Sequence, residues 1–241
     1  MKTDQVFKAP MEKSTDFKFD AQVADVFNDM VGRSVPYYLE MQRMMSEIIP
    51  DYVRPNTSIY DLGCSTGTTL LSLDKLLDQT VRFVGVDSSA EMIENSYSNF
   101  RNNELTRPYD LITADLYKPF EIKNASVVIL CLTLQFIRPL YRQKMLESIY
   151  QQMNDGACLI LVEKILAEDA DLNRQYIKYY KDLKRRNNYD EMEISQKREA
   201  LENVLIPYKL SENIGMLDEA GFSKTEVFFK WYNFAGIIAI K

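Results

Sequence analysis

The run Ser58-Ile59-Tyr60-Asp61-Leu62-Gly63-Cys64-Ser65-Thr66-Gly67 decides the fold. An apolar stretch ends in an acid, Asp61. A loop of small residues follows, then a helical stretch over 68–77, then a second apolar run, Phe83-Val84-Gly85-Val86, ending in Asp87. Strand, tight glycine-bearing turn, helix, strand and acid, in this order, make the first unit of a nucleotide-binding α/β sheet. Small residues let backbone approach a ligand closely, and Asp87, twenty residues past Gly67, is placed to accept hydrogen bonds from a ribose diol. The loop is not a full G-x-G-x-x-G, because Ser65 stands where the middle glycine would be, and it lacks the lysine of a P-loop. An adenosine ligand without a pyrophosphate suits such a loop; glycines that serve packing alone are the alternative.

Outward from this unit, the chain reads as one α/β domain over 1–241, with additions at both ends of the sheet. Hydrophobic content of 46% and charged content of 27% are those of an ordinary globule with a large core. The net charge of −6 argues against direct nucleic-acid binding. Three separated cysteines suit a reduced, cytoplasmic setting, and no stretch reaches the about 20 apolar residues of a membrane span. The N-terminus carries no run resembling a signal peptide. With no histidine, a zinc site, a Ser-His-Asp triad and a Cys-His pair are all disfavoured, and no metal is expected. Proton transfer falls to Asp, Glu, Lys, Tyr, Cys, water or substrate.

Before the first strand, residues 1–15 read as a polar arm and 15–55 as a helical lid. Asp20 caps a helix with Val23, Val26, Phe27 and Met30 on one side. Pro36 opens a second helix carrying Leu39, Met44, Met45, Ile48 and Ile49, and Tyr38 is a candidate to face a ligand. After Asp87, the run Ser88-Ser89-Ala90-Glu91 reads as a capping box. A third strand lies near Tyr109-Asp110-Leu111-Ile112 and ends at Ala114-Asp115-Leu116, where a side chain and a backbone N–H can meet an adenine. The run 126–131 is a buried parallel strand, its end lying over the opening loop. A helix after Pro139 stops at Asp155-Gly156, and a fifth strand runs from Cys158 to Val162. Residues 165–210 exceed a minimal crossover and read as a helical insertion, a lid or a dimer surface. Within them Lys184-Arg185-Arg186 reads as a solvated helix face. Ser211 caps a last helix, and 226–229 with 234–240 form a closing hairpin.

The D-L-G-x-S-x-G form resembles the first motif of class I S-adenosylmethionine-dependent methyltransferases. That likeness implies a Rossmann-like seven-stranded sheet of order 3-2-1-4-5-7-6 with the last strand antiparallel. A narrower resemblance, to the carboxy-S-adenosyl-L-methionine synthase family, covers nearly the whole chain. It rests on Phe27-x-Asp29-Met30, Arg33-Ser34-Val35-Pro36-x-Tyr38, Tyr60-Asp61-Leu62-Gly63-Cys64-Ser65 and Asn124-Ala125-Ser126. It continues through Thr133-Leu134-Gln135-Phe136, Glu163-Lys164, Ile194-Ser195-Gln196-Lys197-Arg198, Leu201-Glu202-Asn203-Val204 and Tyr232-Asn233-Phe234.

The resemblance implies a carboxyl-transferring enzyme that converts S-adenosyl-L-methionine and prephenate to carboxy-S-adenosyl-L-methionine and phenylpyruvate. The product serves a separate enzyme that carboxymethylates the wobble uridine of tRNA. A sulfonium makes its methyl protons acidic. Prephenate releases CO2 as its ring becomes aromatic, and its departing hydroxide takes a methyl proton. CO2 held beside the methyl group reacts before it escapes. The implied cofactor-binding residues are Tyr38, Gly63, Cys64, Ser65, Asp87, Ser88, Asp115, Leu116, Cys131 and Arg198. Arg198 is also the implied catalytic residue, its planar fork gripping the new carboxylate. Two positions depart from the family pattern. Cys131 stands where the family has Asn, and a thiol lacks an amide's paired donor and acceptor. Ser88 likewise replaces an Asn. A homodimer is implied; direct nucleic-acid and membrane contacts are not. A conventional small-molecule methyltransferase and a non-catalytic S-adenosylmethionine-binding partner of a tRNA-modifying enzyme are the alternatives.

Overall fold

The computed structural model describes residues 2–10 and 15–241. Its sheet runs β3-β2-β1-β4-β5-β8-β7. The strands are β1 (Ser58–Leu62), β2 (Arg82–Asp87), β3 (Tyr109–Thr113), β4 (Ala125–Cys131), β5 (Met153–Leu166), β7 (Lys224–Trp231) and β8 (Phe234–Ile240), with a two-residue β6 (Tyr208–Lys209) beside the end of β5. Because β6 takes a number, the closing hairpin is β7–β8; the path is the expected 3-2-1-4-5-7-6. Only β8 runs antiparallel to the central strands, pairing Val162 with Gly236.

Eight helices accompany the sheet among the described residues: α1 (Ala21–Ser34), α2 (Tyr38–Ile48), α3 (Thr68–Leu73), α4 (Ala90–Asn102), α5 (Pro139–Gln152), α6 (Ala170–Arg186), α7 (Glu191–Leu201) and α8 (Leu210–Ala220). Strand alternation divides the core. Tyr60 and Leu62 pack with Leu146, Ile149 and Leu217 of α5 and α8, whereas Ile59 packs with Met41, Met45, Leu70 and Phe100 of α2–α4. Helices therefore cover both faces, which is why β1 is buried at every position and β4 along nearly all of its length.

The termini of these elements differ from expectation in instructive ways. Asp20 does cap α1, accepting from the Val23 N–H at 3.1 Å. The cap of α4 is Ser89, which accepts from the Met92 N–H, so Ser88 is released from capping. Tyr37, at φ 51°, precedes α2, which starts two residues after Pro36. Leu39 points outward at 81% exposure, because the buried stripe of α2 is Met41, Met45 and then Ile49. Helix α5 ends at Gln152, and Gly156 lies inside a longer β5. Ser211 does not cap α8; its hydroxyl donates to Glu168 at 2.7 Å.

The polar arm expected over 1–15 lies partly outside the described residues. Within them, Asp4 and Phe7 are buried against the lid. Phe7 and Phe17 join Val23, Val26 and Met30 of α1 and Ala200 of α7 in a separate apolar cluster, and the Phe17 N–H donates to the Ala200 carbonyl at 2.9 Å. Arg33 completes the tie. Its guanidinium donates to the Asn187 and Asn188 carbonyls at 2.9 and 2.7 Å and stacks 3.9 Å from the Tyr189 ring. The N-terminal segment, α1, α6 and α7 thus form one helical cover above the C-terminal ends of the parallel strands.

Candidate functional site

A cavity of about 650 Å³ lies beneath that cover, and all ten positions singled out from the sequence line it: Tyr38, Gly63, Cys64, Ser65, Asp87, Ser88, Asp115, Leu116, Cys131 and Arg198. Their roles toward a ligand are a separate matter from their position.

The loop after β1 is set by backbone. The Gly63 and Cys64 N–H groups both donate to the Val86 carbonyl, at 2.7 and 3.0 Å. Gly63 has φ +85°, and a Cβ there would lie 2.3 Å from Thr133 Oγ1. Only glycine fits between the strand end and the β4 loop. Farther along, the Ser65 N–H donates to Asp87 Oδ2 and the Ser89 N–H to Oδ1, each at 2.9 Å. Asp87 is thereby fixed, with lone pairs left for further donors. Burial pushes its carboxyl above the usual range, and the backbone donors pull against that. Asp115 is held in the same way, accepting from the Tyr117 N–H at 2.9 Å.

Asp61 is the residue that sequence reasoning left unassigned. It is 1% exposed, lines the cavity, and neither carboxylate oxygen has a hydrogen-bond partner among the described residues. Burial, helped by the Asp87 charge, pushes its carboxyl up to about 7. A carboxylate left so is matched to a cationic ligand group. The signal in the sequence was an acid closing a wholly apolar strand. Burial first raises both the Tyr38 hydroxyl and the Cys131 thiol; Cys131 and then the Asp61 charge add to it at Tyr38, and the Asp61 charge adds to it at Cys131. Cys131 is therefore a neutral thiol.

Arg198 is exposed on α7 and has no hydrogen bond or ion pair among the described residues. It shares a helical stripe with Ile194, Lys197, Leu201 and Glu202, all lining the cavity. A second stripe on α6, Ile177, Tyr180, Lys181 and Lys184, faces the same space. Lys184 is 7% exposed, so it is not part of a solvated face; Arg185 is, pairing with Asp182 and Glu191. Lys164, at the end of β5, also lines the cavity, and burial pushes it down to about 8. Its neighbour Glu163 turns away and accepts from the Leu134 and Gln135 N–H groups at 2.9 and 2.7 Å, positioning the loop after β4. Phe17, Phe19, Phe27 and Phe136 complete the lining with aromatic surface, Phe19 meeting Phe136 edge-on at 5.2 Å.

A close-approach loop, a backbone-fixed acid and, among the described residues, an unpartnered carboxylate and an unpaired guanidinium surround one cavity, a set that suits S-adenosylmethionine.

Comparison with known proteins agrees. A methyltransferase-domain family model matches residues 59–156. Two solved structures share the fold. One is a methyltransferase-like protein of Methanococcus maripaludis (20% identity, TM-score 0.62, covering 96% of this chain and 97% of that one). The other is an O-methyltransferase family protein of Burkholderia thailandensis (15%, TM-score 0.70, covering 92% and 60%). The carboxy-S-adenosyl-L-methionine synthase of Methylococcus capsulatus is 48% identical over 242 residues, covering all of both chains. That of Campylobacter fetus is 43% identical over 240 residues, covering 99% of each. With such identity along its whole length, the chain belongs to the carboxy-S-adenosyl-L-methionine synthase family.

Proposed function

We propose that the chain makes carboxy-S-adenosyl-L-methionine from S-adenosyl-L-methionine and prephenate, releasing phenylpyruvate. One observation carries the choice over ordinary methyl transfer: Arg198, without a pairing partner among the described residues, lines the same cavity as the Gly63–Ser65 loop of its own chain. A conventional methyltransferase has no carboxylate on its sulfonium methyl for such a group to meet.

Within this proposal 1–241 is one binding domain, 15–55 its lid and 165–210 its insertion. Asp87 takes the ribose hydroxyls, Asp115 and Leu116 frame the adenine, and Asp61 faces the ammonium, with Tyr38 and Cys131 beside it. Gly63, Cys64, Ser65 and Ser88 give the close backbone wall. Arg198 grips the new carboxylate through two parallel N–H bonds, from its own chain. The sulfonium supplies an acidified methyl group when bound, and prephenate supplies CO2 and a hydroxide as it aromatises. The protein's share is enclosure. The aromatic lining of Phe17, Phe19, Phe27 and Phe136 keeps bulk water from the reacting end and holds CO2 close. Because the departing hydroxide takes the methyl proton, the chain needs no general base, consistent with its lack of histidine.

The setting proposed is cytoplasmic, with the product passed to a tRNA carboxymethyl-transferring enzyme; no described helix is long and apolar enough to cross a membrane. A homodimer is supported by exposed Leu172 and Tyr179 on α6, within the insertion and outside the cavity lining. The test is incubation with S-adenosylmethionine and prephenate, followed by mass spectrometry. A product heavier than S-adenosylmethionine by one CO2 is expected. Tight binding without that product would identify a binding scaffold, and methylation of an added acceptor a conventional methyltransferase; either defeats the proposal.

A further inference from the structure

Two lysines of the cavity wall, Lys164 at the end of β5 and Lys184 on α6, have no anionic or hydrogen-bonding partner for their ammonium among the described residues. Lys197 is the counterexample that makes this plain. Its ammonium donates to Ser34 Oγ at 3.0 Å and lies 3.7 Å from Asp4 Oδ2, inside a buried network closed by the Tyr189 hydroxyl, which donates to the same Asp4 oxygen at 2.5 Å. That is how a structural buried lysine is satisfied. Lys164 and Lys184 have no such partners. Among the described residues neither forms an ion pair, and neither ammonium donates a hydrogen bond. Instead both flank one aromatic ring: their Nζ atoms lie 5.1 and 4.5 Å from the centroid of Tyr180.

Three further cations crowd Lys184. Burial and the charges of Lys197, Lys164 and Lys181 hold it well below the ordinary lysine range. A cation placed next to other cations and away from water is costly unless an anion arrives. S-adenosylmethionine is not that anion in the proposed pose: its sulfonium is positive, and its one carboxylate shares a carbon with the ammonium that faces Asp61, so affinity for the adenosyl ligand serves as the control. Arg198 is reserved in the proposed reaction for the carboxylate on the methyl group. The carboxylate donor must bring negative charge of its own, and the unpaired lysines are where the cavity can receive it.

We propose that Lys164 and Lys184, on either side of Tyr180, form a subsite for a carboxylate of the second, dianionic substrate, separate from the Arg198 subsite. This rests on the carboxyl-transfer function proposed above. The Tyr180 ring, itself packed on Phe234 at 5.3 Å between centroids, gives the subsite an apolar face for the substrate's ring.

Calorimetric titration of prephenate into protein saturated with S-adenosylhomocysteine, which has no methyl group to carboxylate, tests this directly. The wild type binds prephenate. Lys164→Met and Lys184→Met, which keep the apolar stems, each weaken it about tenfold or more, the scale of a lost charge-assisted bond. Affinity for S-adenosylhomocysteine stays within about twofold. Prephenate affinity unchanged in both variants overturns the subsite while leaving the carboxyl-transfer proposal standing, provided the wild type makes product. No prephenate binding in the wild type overturns both. Should the methionine variants lose both ligands, Lys184→Arg decides: recovery of prephenate binding supports the subsite, and continued loss overturns it.

Discussion

The two walls of the cavity hold opposite charge and are built by opposite means. The acidic wall stands on strand ends. Asp61 is next to last in β1 and Asp87 closes β2, each placed by a parallel ladder, Asp61 opposite Gly85 and Asp87 opposite Thr113. The cationic wall stands on the end of β5 and on two helices of the insertion. Those helices are held from outside, by Arg33 on the Asn187 and Asn188 carbonyls and by the Asp4–Tyr189–Lys197 network. A strand-end acid is placed by the sheet itself. A cation on an inserted helix must be recruited by side-chain contacts from the lid. The nucleotide end of this site is therefore the generic half, and the helical wall is where a particular reaction is specified.

Glu163 stands between the two walls and offers the strongest way to break the arrangement. Its two oxygens accept from successive N–H groups of the loop after β4, and Glu163→Gln replaces one acceptor with a donor facing a donor. A loss of about 2–3 kcal/mol in unfolding free energy is expected, read by urea denaturation. A change near zero would mean that the loop is positioned by something else. Asp61→Asn addresses the acidic wall alone. Its affinity for S-adenosylmethionine should drop roughly thirtyfold, about 2 kcal/mol for a charge-assisted contact, measured by calorimetry. Undiminished affinity would remove Asp61 from the ammonium.

On the other wall, Arg198→Ala should keep S-adenosylmethionine binding while its preference for the carboxylated form falls about tenfold. Arg198→Lys restores only part, because a point charge cannot supply a fork. An equal preference in the wild type and the alanine variant would show that the carboxylate sits elsewhere.

The same contrast governs what the sequence could reveal. Strand, loop and acid lie next to each other in the chain, so 58–87 disclosed the first unit of the sheet and its loop without any tertiary information, while the strand order came with the likeness to class I methyltransferases. The family likeness carried Arg198, whose position in a charged helix says nothing about a cavity. Asp61 escaped notice because its unsatisfied state exists only in the folded packing around it. Lys184 was masked by its neighbours: in Lys184-Arg185-Arg186 only the first residue falls on the stripe of Ile177 and Tyr180, and Arg185 does behave as solvated surface. Lys197 and Asp4 are nearly two hundred positions apart, and no local pattern joins them. The helix ends missed at Ser88 and Ser211 failed for a smaller reason. At Ser88 the adjacent hydroxyl of Ser89 takes the cap; at Ser211 the helix already begins at Leu210, and the hydroxyl turns to Glu168 instead.

The smallest effect expected is also the one that puts both walls on a single axis. Burial and Asp87 raise the Asp61 carboxyl from 3.8 to about 7. Between those values the folded chain keeps a proton that the unfolded chain has released, so stability falls as pH rises. Burial lowers Lys164 from 10.5 to about 8. Between those values the unfolded chain keeps the proton and the folded chain has lost it, so stability rises with pH. The two walls thus tilt the pH profile of the ligand-free protein in opposite directions, with their joint cost greatest near pH 7–8, where both are charged. Each slope is bounded by about 1.4 kcal/mol per pH unit for one proton. Denaturation midpoints from pH 4 to 10 should show Asp61→Asn making the acid limb shallower and Lys164→Met the alkaline limb shallower, each limb keeping the share of the other buried groups shifted the same way, Glu163 on the acid side and Lys184 and Lys197 on the alkaline side. A limb that its own substitution leaves unchanged would deny that the residue replaced stores unpaired charge. Saturating ligand should flatten each limb in the wild type, because the cation or anion that binds a wall supplies the partner that the fold withholds.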